Sequence, residues 1–469
     1  MRKLLTVILC CVPLVCRAQS LDEIIRLAQD STITAFQSRY QYEYYSQRNA
    51  RFEALRKPQL EFNLTPNYQR MISDPARTYV YLRNYDRFST AAQLRLSQKV
   101  LGWGGDAYVE SLAIWSEYFG HDQNDRPRDF VALPFNIGYQ QDLLGYNPYK
   151  WEKTIEDQRL EAARKQLGYD LHRIAEEATT RFFRLACAQG MMDMCLRNKQ
   201  TADTLYAIAR EKASIAMVSL AELRSLELQR LNAANALLSA RNEEQLARES
   251  LAAYLRTDVL PSGSRLTIPT STKPVYLSDG DALEMARANS PALQQKKMEL
   301  SEALQQQQKA RSEQGVKVGV DFSVGMQQLS NTFVGAYQQP QLFMLGAVSL
   351  RVPIVDNGAA RKGYAAATAW KDREEQALKE QERALDEDVR TTMDNLRAHE
   401  QMLAHTSEAV TMADEVFELT AENYANGLCD INTYSIAQSR RDSAYNQHLT
   451  ALANYWITYY HLLTLTQYE

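Results

Sequence analysis

Val316-Lys317-Val318-Gly319-Val320-Asp321-Phe322-Ser323-Val324-Gly325-Met326 is the stretch that decides the fold. Apolar residues alternate strictly with polar or small ones, the period of a strand with one apolar and one polar face. Val348, Leu350 and Val352 repeat the pattern against Ala347, Ser349 and Arg351. Leu133, Phe135, Ile137 and Tyr139 do so against Pro134, Asn136, Gly138 and Gln140, and Leu60, Phe62 and Leu64 mark a fourth run. Runs of about ten residues with a lipid face and a water face suit a transmembrane β-barrel, although a half-buried soluble sheet alternates in the same way. Four strands cannot close a barrel, which needs about eight, and open edges are not tolerated in lipid. The barrel is therefore expected to be shared: three chains, with four main strands each, supply twelve. Tyr79, Tyr81, Tyr85, Trp103, Trp115, Tyr118, Tyr146, Tyr149 and Trp151 cluster around these runs, some suited to interfacial girdles and others to loop packing.

The strands are flanked by long helical segments. Leu378, Leu385, Val389, Met393 and Leu396 keep a spacing of three, four and seven, and Leu403, Val410 and Phe417 continue it by sevens. Glu375/Lys379 and Asp386/Arg390 place acid before base at i,i+4, and no proline occurs from Gly358 to Glu469. This is coiled-coil helix. A similar helix is expected from Pro148, a good first-turn residue, to about residue 215, with neighbours over roughly 21–56 and 219–256. At 1.5 Å per residue the long helix spans ~100 Å, and two short helices end to end match it.

The chain reads as one unit written twice. Asp142 to Asn147 aligns with Pro353 to Gly358 at an offset of 211, which also pairs Asn232-Ala233 with Ser443-Ala444. An offset of 258 pairs Ile25 to Ala28 with Leu283 to Ala286, and Leu60, Phe62 and Leu64 with Val318, Val320 and Phe322. The difference of 47 is an insertion in the first copy, between about Met71 and Phe130. Within it, Leu94-x-Leu96 and Tyr108-Val109 read as an extra hairpin or an extracellular plug, and Gly102-Trp103-Gly104-Gly105 as a hairpin turn. The expected organisation is a leader over 1–18, a first repeat over 19–258, a linker over 259–277 and a second repeat over 278–469.

Compartment follows from the first residues. Arg2 and Lys3 precede an apolar run from Leu4 to Val15, too short to span a bilayer, and Ala18 supplies a small residue for cleavage. This reads as a secretory signal peptide; Pro13, Leu14 and Val15 before Cys16 argue against a lipobox. Cys187, Cys195 and Cys429 would remain, an odd number that makes no disulfide framework. Lys+Arg number 53 against 57 Asp+Glu, without the basic excess of a nucleic-acid binder. The mean hydropathy of −0.44 excludes a bundle of transmembrane helices.

Leu350-x-Val352-Pro353-Ile354-Val355-Asp356-x-Gly358 resembles the strand-to-helix turn "LxxPIFDxG" of the TolC-type outer-membrane efflux proteins. Tyr424-x-x-Gly427-x-x-Asp430, followed by Ala437-Gln438 and Ala444, resembles that family's tip and returning helix. The order of these motifs and the internal repeat extend the resemblance over essentially the whole mature length. It implies a mixed α + β membrane protein: a trimer whose twelve-stranded barrel in the outer membrane of a Gram-negative bacterium continues as a periplasmic helical tunnel. It also implies docking to a periplasmic adaptor and an inner-membrane pump, with lipid as the other partner and passive export of small molecules or proteins.

The tips are the candidate functional sites. Gly427 suits the positive φ that ends a helix, and Asp430 sits where a helix N-cap belongs. Asn432, Thr433 and Ile436 follow on the stretch that faces the tunnel mouth by family analogy. Some family members carry two aspartates on this helix; Thr433 and Ile436 stand there, leaving Asp430 as the nearest candidate for a carboxylate ring. In the first repeat the equivalents are Ala216 and Ser219, and Ser219-x-x-Glu222 reads as a capping box at the expected adaptor contact. Pro353, Asp356 and Gly358 form the strand-to-helix turn. No catalytic constellation appears: the six histidines show no H-E-x-x-H pattern, and neither a cofactor nor a metal is expected. The alternative is a periplasmic coiled-coil adaptor or structural protein that never enters the membrane. Adaptors usually have one helical hairpin, against the two hairpins and four amphipathic strands read here.

Overall fold

The computed structural model describes residues 19–72, 84–119, 128–142, 145–215, 218–256, 264–269, 272–426 and 428–468. The expected leader, Ala216, Gly427 and parts of the insertion (73–83 and 120–127) lie outside the described residues. In chain order the elements are β1 (Gln19–Ser20), α1 (Leu21–Ser31), α2 (Ile33–Leu55), β2 (Gln59–Ile72), β3 (Asn84–Val100), β4 (Gly105–Phe119) and β5 (Arg128–Gln141). They continue with α3 (Pro148–Ser214), α4 (Leu220–Leu255), β6 (Leu266–Thr267), α5 (Asp279–Asn289), α6 (Pro291–Ser312) and β7 (Lys317–Ser330). A 3-10 turn (Gly335–Tyr337), β8 (Gln341–Arg351), α7 (Ala359–Ala425) and α8 (Ile431–Thr466) complete the chain. The residues group into two compact units. One comprises the chain up to Tyr42, Arg164–Pro291 and Glu382–Glu469; the other comprises Glu43–Ala163 and Ala292–Gln381.

The first unit is helical. Ser20 begins α1 with a reciprocal capping box: its hydroxyl accepts from Glu23 N, and its own N–H donates to the Glu23 carboxylate. Leu21, Ile24, Ile25 and Ala28 then turn inward. Ile174, Phe182, Phe183 and Leu185 on α3, Leu251 and Leu255 on α4, and Tyr455 and Leu462 on α8 are fully buried. Each large apolar side chain of this kind contributes roughly 1.5–3 kcal/mol on leaving water. On α7, Leu385, Val389, Met393 and Leu396 are buried as the three-and-four spacing requires, while Leu403, Val410 and Phe417 are half-buried. Ion pairs Arg287–Asp386 and Arg397–Asp279 join α5 to α7. β1 and β6 form a short parallel pair.

The second unit is built on a six-stranded antiparallel sheet in the order β2-β3-β4-β5-β7-β8. The expectation of four main strands is therefore corrected to six. The described residues of the insertion form the extra hairpin: β3 and β4 enter between β2 and β5 and pair with both. Their alternation is weak in the sequence for two reasons. Ala91, Ala92 and Ala113 blur the contrast between faces, and in β4 the apolar Leu112 and Ile114 fall on the same face as Glu110. The register shift opposite Glu110 and Leu112 places its extra residue in β5, between Leu133 and Asn136. The turn read at Gly102 to Gly105 does connect β3 to β4.

Candidate functional site

Register assigns every strand residue to one of two faces. On the first face Leu60 stands opposite Leu96, Phe62 opposite Leu94, Phe135 opposite Met326, Ile137 opposite Val324 and Val320 opposite Val348. On the second, Asn63 stands opposite Gln93, Glu61 opposite Arg95, Asn136 opposite Gly325 and Gly138 opposite Ser323. The second face is hydrogen-bonded within itself. The Glu110 carboxylate accepts from Gln93 Nε2 at 2.7 Å and from Asn136 Nδ2 at 2.9 Å. The Arg95 guanidinium lies 3.7 Å from Glu110 and 4.1 Å from the centroid of the Tyr108 ring. Tyr108 lies across Gly138, where an added Cβ would fall 2.3 Å from the ring.

Exposure is inverted relative to a water-soluble sheet. Leu60, Phe62, Val348 and Leu350 are each 66% exposed, whereas Ser116 and Ser323 are 2% and Asn136 4%. On the central strands β5 and β7 the apolar face, with Phe135, Ile137 and Phe322, meets the surroundings and the polar face is shielded, whereas on the edge strands β2 and β8 both faces are open. Contiguous apolar surface of this kind marks contact with lipid or a partner.

The base of the sheet is fastened to the start of α3. Asn147 Nδ2 donates to Leu101 O in the β3–β4 turn, while Asn147 Oδ1 accepts from Lys150 N and caps the helix. Gly104 takes φ +87°, and a Cβ there would fall 2.9 Å from Asn147 Cα. In the other strand-to-helix turn, Asp356 Oδ1 accepts from Gly358 N at 2.9 Å and Oδ2 from Ala360 N at 3.2 Å, which holds its carboxyl below the usual range. Asn357 and Gly358 both take positive φ, and Pro353 precedes them exposed.

In the helical unit, Asp430 is the N-cap of α8. Its Oδ1 accepts from Thr433 N at 2.8 Å and from Thr433 Oγ1 at 2.5 Å. The bonds from Thr433, side chain first, hold the exposed carboxyl below its ordinary pKa. Asn432, Thr433 and Ile436 are exposed, and Arg440 continues the same face. Tyr434 turns inward, its ring 5.3 Å from Tyr424 and 5.5 Å from Phe417. Ser219 caps α4 by accepting from Glu222 N at 3.1 Å, one half of the expected capping box. Burial first, and the Glu222 carboxylate second, push the Tyr424 phenol up. Glu222 itself is exposed.

Residues 282–466 match the model of the outer membrane efflux protein family. The matched stretch takes in β7, β8, α7 and α8, the second half of the chain. The Campylobacter jejuni CmeC outer membrane channel has the same fold, with TM-score 0.68 at 12% identity over 95% of this chain and 85% of that one. So do the Vibrio cholerae outer membrane protein VceC (0.66, 11%, 95% and 96%) and the Neisseria gonorrhoeae MtrE outer membrane channel (0.61, 15%, 95% and 88%). At these identities the likeness is one of fold. No curated protein matches the sequence. Among the described residues no helix is long and apolar enough to cross a membrane, and no cluster of side chains is arranged to hold a metal.

Several contacts of this chain were not anticipated from sequence. Gln438 Nε2 donates to Asn198 Oδ1, and Asn198 Nδ2 to Asp442 Oδ2, which ties α8 to α3. The Arg441 guanidinium stacks 3.9 Å from the Phe417 ring centroid. Gln438 and Asp442 at i,i+4 on an otherwise apolar face were the available signal, but their partner is distant in sequence.

Proposed function

We propose that three copies of this chain close their sheets into one outer-membrane barrel and their helices into a periplasmic tunnel. The assembly is the passive exit duct of a tripartite efflux or type I secretion system. The inverted exposure of the sheet carries the reading: an apolar outer face, a hydrogen-bonded polar inner face and two unpaired edges require lipid around the sheet and further strands beside it. A periplasmic adaptor or structural protein has no use for such a surface. The two-copy organisation belongs to the same reading, supported by 67 residues in both α3 and α7 and 36 in both α4 and α8. The tip around Asp430, Asn432, Thr433 and Ile436 is the pore entrance, and the tip at Ser219 and Glu222 is the contact for the periplasmic adaptor, which bridges to the inner-membrane pump.

Membrane fractionation and planar-bilayer recording test this. The protein is expected to resist a carbonate wash, to run as a trimer in detergent and to give long-lived pores in bilayers. Release by carbonate as a monomer without conductance would overturn the proposal.

A further inference from the structure

We infer that the open edges β8 and β2 are partners between neighbouring copies, in the register that sets Arg351 beside Glu61, so that a trimer has a wall of eighteen strands. The inference rests on the trimeric channel proposed above and specifies how its barrel is joined.

Six strands cannot close on themselves, so each copy leaves both edges unpaired. The edges are matched. β2 starts, and β8 ends, at the end of the sheet next to the helices, which makes their pairing antiparallel. Setting Arg351 opposite Glu61 places Ser349 opposite Asn63 on the polar face. It also places Leu350 opposite Phe62 and Val348 opposite Leu64 on the apolar face. A shift by one residue would turn apolar side chains into the lumen.

Charge points to the same register. Lys317 and Arg351 stand directly opposite each other across β7 and β8, like charges that repel. Among the described residues neither forms an ion pair, although Glu313 and Asp356 line the same cleft. Glu61 also lacks an ion pair among the described residues; its cross-strand neighbour Arg95 is engaged by Glu110 and Tyr108. One edge thus carries surplus positive charge and the other a free carboxylate, on the same face and at the same end. Joining them satisfies both. With ~4.8 Å between strands and ~40° tilt, eighteen strands make a wall ~36 Å across between backbones, against ~24 Å for twelve.

The test uses full-length protein with Cys187, Cys195 and Cys429 replaced by serine. Glu61→Cys with Arg351→Cys, and separately Asn63→Cys with Ser349→Cys, are oxidised in membranes and run on denaturing gels. Covalently linked trimers from either pair, and eighteen strands in an image of the unmodified protein, are expected. A conducting trimer that shows twelve strands in its wall, or that never cross-links between copies at either pair, overturns this inference and leaves the channel proposal standing. Failure of the unmodified protein to form a membrane trimer overturns both.

Discussion

Leu94 and Gln93 are neighbours on β3 and point to opposite faces of the sheet, which makes them a paired probe of where lipid lies. Leu94 faces Phe62 across one ladder, is 46% exposed, and sits two residues from the middle of its strand. If the apolar face is in lipid, Leu94→Arg carries a cation to within about 7 Å of the strand's midpoint. The cost near the bilayer midplane is about 2–4 kcal/mol per copy. At about 1.4 kcal/mol per tenfold, that is roughly a 30- to 700-fold loss of the folded, inserted state. If the face were in water, an exchange at a half-exposed surface position would cost within about 0.5 kcal/mol. Gln93→Arg supplies the control, because its donor already reaches Glu110 at 2.7 Å and an arginine can keep that bond in a wet lumen. Urea titration of protein refolded into lipid vesicles, read by gel mobility and tryptophan fluorescence, measures both. Equal effects from the two substitutions would refute the face assignment. It would also remove β3, and with it the inserted hairpin, from the membrane wall.

Other consequences are equally specific. Asp430→Asn keeps a good N-cap and removes the charge, so it is expected to preserve α8 protection in hydrogen exchange while lowering cation preference in bilayers. Asp430→Ala should loosen the first turn by about 1 kcal/mol, and unchanged ion selectivity in Asp430→Asn would leave Asp430 a cap alone. His461 bridges α8 to α3 and α7, its Nδ1 3.2 Å from Glu176 and its Nε2 3.6 Å from Asp388. The hydrogen bond to Glu176 raises its pKa against the effect of burial. A raised folded value means that this contribution is complete below the unfolded pKa of about 6.5 and is lost as pH rises through the folded one. The Tm difference between wild type and His461→Gln should therefore shrink with rising pH; a constant difference would refute the charge linkage. Gly104→Ala, at φ +87° and against Asn147, should destabilise the inserted protein by about 1–3 kcal/mol, whereas Gly102→Ala, with open space at its Cβ, should stay near wild type in the same titration.

What the sequence made legible was periodic. Val318 to Met326 alternates because β7 has one apolar and one polar face, and Leu385 to Leu396 recurs because α7 has a single buried stripe. Asp430 and Ser219 were readable as caps because capping is local chemistry within three residues. β3 was legible only in part: alanine is acceptable on either face, so Ala91 and Ala92 carry no phase, and in β4 Leu112 and Ile114 share a face with Glu110, which hides the alternation. Tyr434 and the Asn198–Gln438–Asp442 chain were invisible for a different reason. Tyr434 meets Tyr424 and Phe417 across the tip, Asn198 lies 240 residues from Gln438, and periodicity describes a face without naming what covers it.

The two strand-to-helix turns show where local chemistry follows from a nonlocal demand. Gly145-Tyr146-Asn147 aligns with Asp356-Asn357-Gly358, yet the positive φ falls at Gly145 in one and at Asn357 and Gly358 in the other. In the second turn Asp356 accepts both backbone N–H groups itself. In the first, the side chain at 147 must both cap α3 and receive the β3–β4 turn. Asparagine does this with one oxygen for Lys150 N and one amide for Leu101 O. Aspartate has no N–H to donate to that carbonyl. The asparagine is therefore required by the inserted hairpin rather than by the helix it begins. Asn147→Asp should leave α3 capped while releasing the hairpin turn, with lost protection confined to the amides around Leu101 to Gly104; equal loss along the first turn of α3 would show that the two roles are not separable.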